Sequence, residues 1–361
     1  LVKDSSGRNR EVLKRFTEAG ADPEILYQQK PHLGTDVLVN IVQTMRRQIE
    51  EMGGTFRFRS KVTDLYTENG ILRAVEVNHS EQVPAQVCVL AVGHSARDTF
   101  FMLKDRGLAM EPKAFAVGLR IEHPQSMINQ DLYGEPENNI LGSASYKVTH
   151  TCKNGRGVYS FCMCPGGYVV NASSEQGLLA VNGMSYQARD GENANSAMIV
   201  TVTPEDFPEK GTLGGIAFQR SLEKKAWELG KGKVPVQLFG DFCTHQVSRE
   251  LGDVRPNIKG GYVLADVRSI LPEEIGDSIE EGIFAFGKKL SGFDRKDAVL
   301  SGIESRTSSP VRLVRDQKGL SNITGIYPCG EGAGYAGGIT SAAMDGIKTA
   351  EWIASEYRMK L

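Results

Sequence analysis

The segment Gly325-Ile-Tyr-Pro-Cys-Gly-Glu-Gly-Ala-Gly-Tyr-Ala-Gly-Gly-Ile339 decides how this chain folds. Residues 325–329 are a mostly apolar run typical of a short strand, and residues 339–357 carry apolar side chains at helical spacing. The loop between them matches the pattern G-x-G-x-x-G at 332–337. Its glycines let the backbone approach a ligand, and the helix offers free N–H groups and the positive end of its dipole. The segment predicts a site for an anion or a ring, with a simple strand–helix turn as the alternative.

The glycine loop does not open a complete dinucleotide-binding unit. Such a unit needs a second strand and an acidic residue about 20 positions further along the chain. Only 24 residues follow Gly337, and their pattern is helical almost to the end. The pattern therefore indicates another kind of binding site at a helix N-terminus.

The segments before this loop predict the rest of one domain. Residues 87–91 are a continuous apolar run typical of a buried parallel strand. Asn69-Gly70 separates two β-rich runs, 62–68 and 71–77, which is the signature of a hairpin. The remaining predictions in this part are helices over 9–20, 36–52 and 95–106 and a strand over 55–59.

The middle of the chain has a different pattern, in which short strand candidates and two helices are separated by turn-rich stretches. This pattern predicts an antiparallel sheet with covering helices. The strands are predicted over 115–121, 158–162, 168–171 and 198–203, and the helices over 216–229 and 274–289. We therefore predict a mixed α/β (α+β) fold. Residues 1–112 and 300–361 form one discontinuous domain, and residues 113–299 form an inserted substrate or cap domain.

The composition of the chain excludes or disfavours several classes of function. The 361 residues carry 42 basic and 44 acidic side chains, a net charge of −2, which disfavours a chain built to hold long nucleic acid. No apolar run approaches the length of about 20 residues that a membrane span requires. The six cysteines are scattered without a CxxC pair, which favours a reduced, cytoplasmic protein.

The segment 325–339 resembles the C-terminal FAD motif of the glutathione-reductase-like flavoproteins, in which a strand ends in Gly-Asp or Gly-Glu and a helix points at the flavin. More closely, the chain resembles the uncharacterised bacterial FAD-dependent dehydrogenases, also called NAD(FAD)-utilising dehydrogenases. The other stretches that carry this resemblance are Lys30-Pro-His-Leu-Gly-Thr-Asp36, Ala91-Val-Gly-His-Ser-Ala-Arg-Asp98, Phe115-Ala-Val-Gly-Leu-Arg-Ile-Glu-His-Pro124, Gly155-Arg-Gly-Val-Tyr-Ser-Phe-Cys-Met-Cys-Pro-Gly-Gly167, Asn182-Gly-Met-Ser-Tyr-Gln-Ala-Arg-Asp-Gly-Glu-Asn-Ala-Asn195 and Arg306-Thr-Ser-Ser-Pro-Val-Arg312.

The resemblance implies an oxidoreductase that transfers a hydride through N5 of FAD to or from a small substrate, with NAD(P)H as a candidate electron donor. It also implies a doubly wound FAD-binding domain with a β-meander, of which this chain holds a remnant. Members of the family are longer at the N-terminus, where a strand, a G-x-G-x-x-G turn and a helix hold the FAD pyrophosphate. We therefore expect this chain to be a truncated form that binds FAD weakly or not at all and is itself inactive.

The resemblance also implies a set of cofactor-binding residues. Glu331 would bond a sugar hydroxyl, and Val62 would meet the adenine through its backbone. The N–H groups of Gly337, Gly338 and Ile339 would face the pyrimidine edge of the flavin. Each of these residues also has an interpretation as ordinary loop, strand or helix-entry structure. The remaining members of the set are Ala91, Gly93, Gly330 and Gly332.

The catalytic residues are not fixed by the sequence. Arg306 follows a predicted strand, 298–304, and can hold an anionic substrate group. Ser308 and Ser309 can bond ring nitrogens or carbonyls, and His32 is a candidate acid or base. A polar loop tied to its own backbone and a structural histidine are the competing interpretations.

Cys162 and Cys164 are interpreted as buried structural cysteines. A CxC pair lacks the helix N-terminal CxxC context of disulfide exchange, and it lacks the four ligands of a zinc site. No metal site is predicted from the spacing.

Two other functions compete with the oxidoreductase. The first is a non-catalytic module that binds a nucleotide or another anion. The second is an RNA-modifying flavoprotein, which the balanced charge disfavours. The expected partner of the oxidoreductase is a small-molecule substrate.

Overall fold

Eight α-helices and seventeen strands occur among the residues that a computed structural model describes, namely 6–28, 31–138 and 140–357. Lys30, the first residue of one family-like stretch, lies outside them. The helices are α1 (Arg8–Glu18), α2 (Thr35–Glu51), α3 (Arg97–Asp105), α4 (Gln125–Tyr133), α5 (Gly214–Gly230), α6 (Phe239–Cys243), α7 (Glu273–Gly287) and α8 (Ile339–Glu356). The strands are β1 (Val62–Glu68), β2 (Ile71–Val77), β3 (Glu81–Pro84), β4 (Cys88–Leu90), β5 (Met110–Pro112), β6 (Phe115–Pro124), β7 (Thr149–Thr151), β8 (Gly157–Cys164), β9 (Tyr168–Asn171), β10 (Val181–Met184), β11 (Asn193–Val202), β12 (Val234–Leu238), β13 (Ile258–Lys259), β14 (Tyr262–Leu264), β15 (Val299–Glu304), β16 (Val311–Leu313) and β17 (Ile326–Pro328).

Seven strands form the largest sheet, in the order β14-β12-β15-β6-β11-β8-β7. Neighbouring strands are antiparallel except for β12 and β14. Helices α5 and α7 pack on this sheet, and α7 turns Ile275, Ile279 and Ile283 inward at helical spacing. All three are at most 3% exposed. The predicted antiparallel sheet with covering helices is confirmed, and its two central strands are longer than the sequence pattern indicated. The strand predicted over 168–171 is formed, as β9, but it pairs with β10 and β13 in a separate three-stranded sheet.

The first and last parts of the chain share a second apolar core. Strands β4 and β17 pair in parallel, with Cys88 opposite Ile326, as the apolar run at 87–91 predicted. The predicted burial of this run is wrong for Val89, which is 42% exposed. Strands β1, β2 and β3 form an antiparallel meander whose first turn is the predicted Asn69-Gly70 hairpin. Buried side chains of both sheets meet those of α3 and β16 in one cluster. The mixed α/β class is confirmed, and the domain boundaries at 112/113 and 299/300 stay predictions.

Residues 55–59 are not a strand, although their alternating pattern predicted one. Arg59 has a left-handed backbone conformation with φ of +54°, which ends any extended run before β1. Phe56 and Phe58 stack on each other with ring centroids 6.4 Å apart, and Phe58 is 68% exposed. Alternation gives a strand only where a partner backbone accepts its hydrogen bonds.

The described helices include none that is both long enough and apolar enough to cross a membrane.

A buried ion cluster joins α3, α5 and the segment that follows β15. The Glu223 carboxylate on α5 is fully buried and accepts paired hydrogen bonds from Arg97, at 2.7 and 2.9 Å, and from Arg306, at 2.8 and 3.0 Å. The Ser305 hydroxyl donates a further bond at 2.7 Å. Burial alone would raise the pKa of the Glu223 carboxyl, but the two guanidinium groups lower this pKa from 4.5 to about 2. Glu223 is therefore ionised wherever the protein is folded near neutral pH.

We expect Glu223→Gln to lower the free energy of unfolding by about 3 kcal/mol or more, because it removes the counter-charge of Arg306 and one of the two carboxylates that pair with the buried Arg97, the other being Glu175. Urea unfolding followed by circular dichroism measures the change. The matched control is Glu228→Gln on the same helix, where the side chain is 57% exposed and the expected change is small. Equal losses in the two variants would contradict the assigned role of Glu223.

The same carboxylate predicts a dependence of stability on pH. Because the pKa of Glu223 is lower in the folded state than its ordinary value of 4.5, its contribution is complete above about pH 4.5. That contribution is lost as the pH falls from 4.5 toward 2. Urea unfolding at a series of pH values should therefore show a steeper acid loss for the natural protein than for Glu223→Gln. Parallel curves would rule out Glu223 as the titrating group.

Candidate functional site

Two loops meet where the parallel strands β4 and β17 end. The N–H of Cys329 donates to the carbonyl of Leu90 at 3.0 Å, so the chain leaves both strands side by side. The first loop contains Ala91 and Gly93, and the second contains the predicted glycines and Glu331. The edge formed by the carboxyl ends of parallel strands is the usual place for a ligand in α/β folds. The structure thus brings together the cofactor-binding residues predicted in these two loops.

Glu331 links the two loops through His94. One carboxylate oxygen of Glu331 accepts the backbone N–H of His94 at 3.1 Å, and the other lies 2.7 Å from Nδ1 of the His94 ring. The side chains are 18% and 22% exposed, so the pair is reachable from solvent. The sequence analysis did not link Glu331 to His94. Because His94 follows β4 and Glu331 follows β17, their proximity could have been expected from the parallel pairing of these two strands.

Glycine is required at the contact between the two loops. A Cβ on Gly332 would stand 2.5 Å from the carbonyl carbon and oxygen of Gly93, which no side chain could tolerate. Gly93 itself has φ of +68°, in the left-handed region that favours glycine. The buried hydroxyl of Ser309 lies 3.0 Å from the Gly332 carbonyl, to which it can donate. These contacts hold the glycine loop against the loop after β4 and against the segment after β15.

The start of α8 is more open than the loop before it. A Cβ on Gly337 would meet nothing within 4 Å, and Ile339 is 62% exposed. The N–H groups of Gly337 and Gly338 donate to the hydroxyl of Ser341 at 3.3 and 3.1 Å. The next N–H groups of the first helical turn have no carbonyl partner within the helix, and they carry the positive end of its dipole.

A cavity of about 230 Å³ lies between this helix start and the large sheet. Gly337 lines it together with Thr307 and Ser308, which follow β15. Strand alternation places Tyr159 and Phe161 on the same face of β8, and this face of the sheet forms the opposite wall. The residues of that mainly apolar wall are Ala114, Phe115, Ala116, Tyr159, Phe161, Ile199 and Thr201.

Lys113 places a cation beside the cavity. Its ammonium donates to the carbonyl of Ala114, a residue of the cavity wall, at 3.3 Å. Burial and the neighbouring charge of Arg312 lower the pKa of Lys113, while Glu331 opposes that shift. The sequence analysis did not single out Lys113, because a lone lysine before a strand carries no pattern.

Two of the predicted catalytic candidates are engaged in holding the loop after β15. Besides its paired bonds to Glu223, the Arg306 guanidinium donates to the hydroxyls of Ser95 and Ser174. Ser309 is fully buried and bonds the carbonyls of the local backbone. Ser308, by contrast, lines the cavity. The catalytic roles proposed for these three residues stay predictions.

Val62 and His32 lie in other parts of the fold. Val62 is the first residue of β1 in the meander. The meander contacts the segment before β17 through a single β-bridge between Ile71 and Thr324. His32 lies before α2, and its Nε2 is 3.2 Å from the carbonyl oxygen of Tyr186. Burial, helped by the charge of Arg189, lowers the pKa of His32 and favours its neutral form. The structure therefore does not bring His32 into the cavity, and its role stays a prediction.

The pair Cys162 and Cys164 is more accessible than predicted. Cys162 is exposed and Cys164 is half-buried, so the expectation of two buried cysteines is wrong. The reason is a bulge in β8, where the ladder to β11 shifts and Cys162 takes a φ of +42°. The Cys164 sulfur lies 3.9 Å from a nitrogen of the buried Arg120 guanidinium.

The chain is similar to an uncharacterised protein of Clostridium beijerinckii, with 49% identity over 351 residues. The match covers 96% of this chain and 66% of the relative, so this chain spans about two thirds of that protein's length. Among solved structures it is similar to an oxidoreductase from Methanosarcina mazei, with TM-score 0.33, 13% identity and coverage of 88% of this chain and 54% of the other. A variant of FrdA of E. coli quinol fumarate reductase matches with TM-score 0.38, 12% identity and coverage of 97% and 55%. Both structural likenesses are distant and decide nothing about function.

A family model described as FAD-dependent protein, C-terminal domain-like, matches residues 114–307. The matched region contains the large sheet from β6 to β15, the helices that cover it, and Thr307 at the edge of the cavity. Since this region is more than half of the 361 residues, the chain belongs to the family of FAD-dependent proteins that have this C-terminal domain.

Proposed function

We propose that this chain contributes part of the FAD site, and the adjoining substrate cavity, of an FAD-dependent oxidoreductase. The observation that carries the proposal is the cavity between the start of α8 and the apolar face of the large sheet. Membership of an FAD-dependent family supports the identity of the cofactor. The substrate would be a small molecule, and NAD(P)H is the proposed electron donor.

The residues of the cavity fit part of a flat ring system. Tyr159, Phe161 and Ile199 offer an apolar wall, while the Ser308 side chain brings a hydroxyl to the rim. The hydroxyl of Thr307 donates to the carbonyl of Ala116 at 2.8 Å. Open space at the Cβ position of Gly337 lets a ring approach the backbone of the helix start. The volume of about 230 Å³ is below the roughly 300–1,000 Å³ of complete ligand pockets, which favours a site that this chain builds in part.

Bound FAD would supply hydride transfer, and the residues of this chain would bind and orient it. The N–H groups of Gly337 and Gly338 would exchange the Ser341 hydroxyl for acceptor atoms of the ligand. The Glu331 carboxylate, held by His94, would accept a hydroxyl of the ligand. The Lys113 ammonium would stabilise negative charge near the cavity, and its lowered pKa would ease release of a proton from Nζ.

A second candidate is a module that binds a nucleotide or another anion without chemistry. The observation in its favour is that Arg306 and Ser309, two of the predicted catalytic residues, are occupied by structural hydrogen bonds. Oxidation of NAD(P)H by the flavin-loaded protein would favour the oxidoreductase, whereas ligand binding without turnover would favour the module.

We expect the Clostridium beijerinckii relative, purified at its full length, to show the absorbance bands of bound flavin. This chain, purified in parallel, is expected to retain little flavin or none, because it matches only 66% of that relative. Absence of flavin from the full-length relative would contradict the proposed function. Equal flavin content in both proteins would contradict weak binding by this chain and leave the cofactor assignment standing.

Gly337→Leu tests the position of the ligand. The new side chain would enter open space beside the cavity, so we expect FAD affinity to fall about tenfold or more, or 1.4 kcal/mol, while the fold persists. Flavin fluorescence titration of this chain, carried to millimolar FAD, measures the affinity. The matched control is Gly346→Leu on α8, where a Cβ also meets nothing within 4 Å and the residue does not line the cavity. Equal affinities of the two variants would place the ligand elsewhere.

A further inference from the structure

Three side chains with metal-binding atoms converge between β7 and α7, at a place the proposed function does not use. His150 lies in β7 and Cys152 follows two residues later, so an extended backbone turns both side chains to one face. Glu281 comes from α7. A ring nitrogen of His150, the Cys152 sulfur and a Glu281 carboxylate oxygen all lie within 4.8 Å of one another. This is the one such group of three found among the described residues.

We propose that His150, Cys152 and Glu281 bind a divalent transition-metal ion of the zinc class. Imidazole, thiolate and carboxylate together form a donor set that suits zinc, whereas magnesium and calcium prefer oxygen ligands alone. Around tetrahedral zinc, ligand atoms at about 2.0–2.3 Å from the metal lie roughly 3.3–3.8 Å from one another. The observed separations therefore need only small side-chain rotations to reach that geometry. Binding exchanges the thiol proton for the metal ion and involves no oxidation or reduction.

Neighbouring groups already hold the ligands in place. The backbone N–H of Lys153 donates to Oε1 of Glu281 at 3.1 Å. Nε2 of His150 lies 3.1 Å from the same oxygen, and a bound ion would replace this contact between two of its ligands. The Cys152 sulfur lies 3.5 Å from the carbonyl oxygen of Ser278, one turn before Glu281 on α7. Partners of this kind orient metal ligands and commonly influence affinity by about 10–100-fold.

The burial of the three ligands leaves the ion a path from solvent. Cys152 is 4% exposed, while the side chains of His150 and Glu281 are 28% and 32% exposed. The sulfur therefore forms the inner side of the site, and the fourth coordination position faces outward, where water can occupy it. A bound ion would fasten the turn between β7 and β8 to α7.

The competing interpretation is an ordinary His–Glu hydrogen bond with a thiol nearby. That pair needs no sulfur and would bind metal no better than any surface histidine. The two interpretations differ in whether the cysteine, the histidine and the glutamate act on the same ion, which spectroscopy of a cobalt-loaded protein can answer.

The experiment is a titration of the purified, chelator-treated chain with Co²⁺, followed by displacement with Zn²⁺. We expect one equivalent of Co²⁺ to produce a thiolate-to-cobalt charge-transfer band together with visible bands of tetrahedral cobalt, and Zn²⁺ to abolish both. Zn²⁺ should also raise the thermal midpoint, because the ion binds the folded state preferentially. Absence of the charge-transfer band would overturn the proposal.

Variants then assign the ligands. Cys152→Ser should abolish the charge-transfer band, and Glu281→Gln and His150→Gln should each weaken Co²⁺ binding by more than about tenfold, the least that loss of even an outer partner commonly costs. The amide oxygen of Gln in Glu281→Gln can still accept the hydrogen bond from His150, but it carries no charge. A loss of Co²⁺ binding in this variant would therefore be due to the missing carboxylate ligand and not to a broken hydrogen bond. The controls are Cys243→Ser, a half-buried cysteine elsewhere, and Glu273→Gln, an exposed residue of the same helix.

Circular dichroism establishes that each variant is folded before its binding is compared. A band lost in Cys152→Ser but unchanged in both His150→Gln and Glu281→Gln would mean binding by the thiol alone and would overturn the three-ligand site. Equal weakening in the control variants would overturn it as well. Loss confined to the three proposed ligands would support it.

Discussion

The placement of the cavity depends on one buried carboxylate. Glu223 binds Arg97 at the start of α3 and Arg306 after β15, two residues that are 209 positions apart in the sequence and that share this carboxylate. A carboxylate in an apolar interior is tolerated only when it is paired and hydrogen-bonded, and removal of either partner leaves an uncompensated charge. The loop that carries Thr307 and Ser308 to the cavity begins directly after Arg306. The geometry of that wall therefore follows from an electrostatic constraint outside the cavity.

The loops at the ends of β4 and β17 are rigid for a different reason. Gly332 contacts Gly93 at a distance that excludes any side chain, and Ser309 and His94 add hydrogen bonds across the same junction. Loops held in this way lose little freedom when a ligand binds, so more of the interaction free energy appears as affinity. The start of α8 is open by comparison, and adjustment to a ligand would concentrate at Gly337 and Gly338.

The sequence predicted elements whose signals are local. The Asn69-Gly70 hairpin, the parallel strand at 88–90 and the glycine loop before α8 follow from neighbouring residues, and so do six of the eight described α-helices. The helices α4 and α6 were not predicted. Features that depend on distant partners were missed or wrong. Residues 55–59 alternate but have no strand beside them, Cys162 leaves the strand geometry at a bulge, and Arg306 carries no sign of its pairing with Glu223. The proximity of His150 and Glu281 could not be predicted from residue spacing either, because the two residues are 131 positions apart in the sequence.

The commitment of Arg97 and Arg306 to Glu223 also limits how this chain can recognise a negatively charged ligand. A guanidinium that turned toward the cavity would give up its paired hydrogen bonds to the buried Glu223 carboxylate, which is unfavourable. Under the proposed function, attraction for phosphate or a reduced ring would come from backbone N–H groups, from the dipole of α8 and from Lys113 with its neighbour Arg312. Backbone N–H groups reach a ligand only where no side chain intervenes, as at Gly337. The proposed function therefore assigns recognition of the ligand to the glycine-rich loop at the start of α8, because Arg97 and Arg306 are held by Glu223.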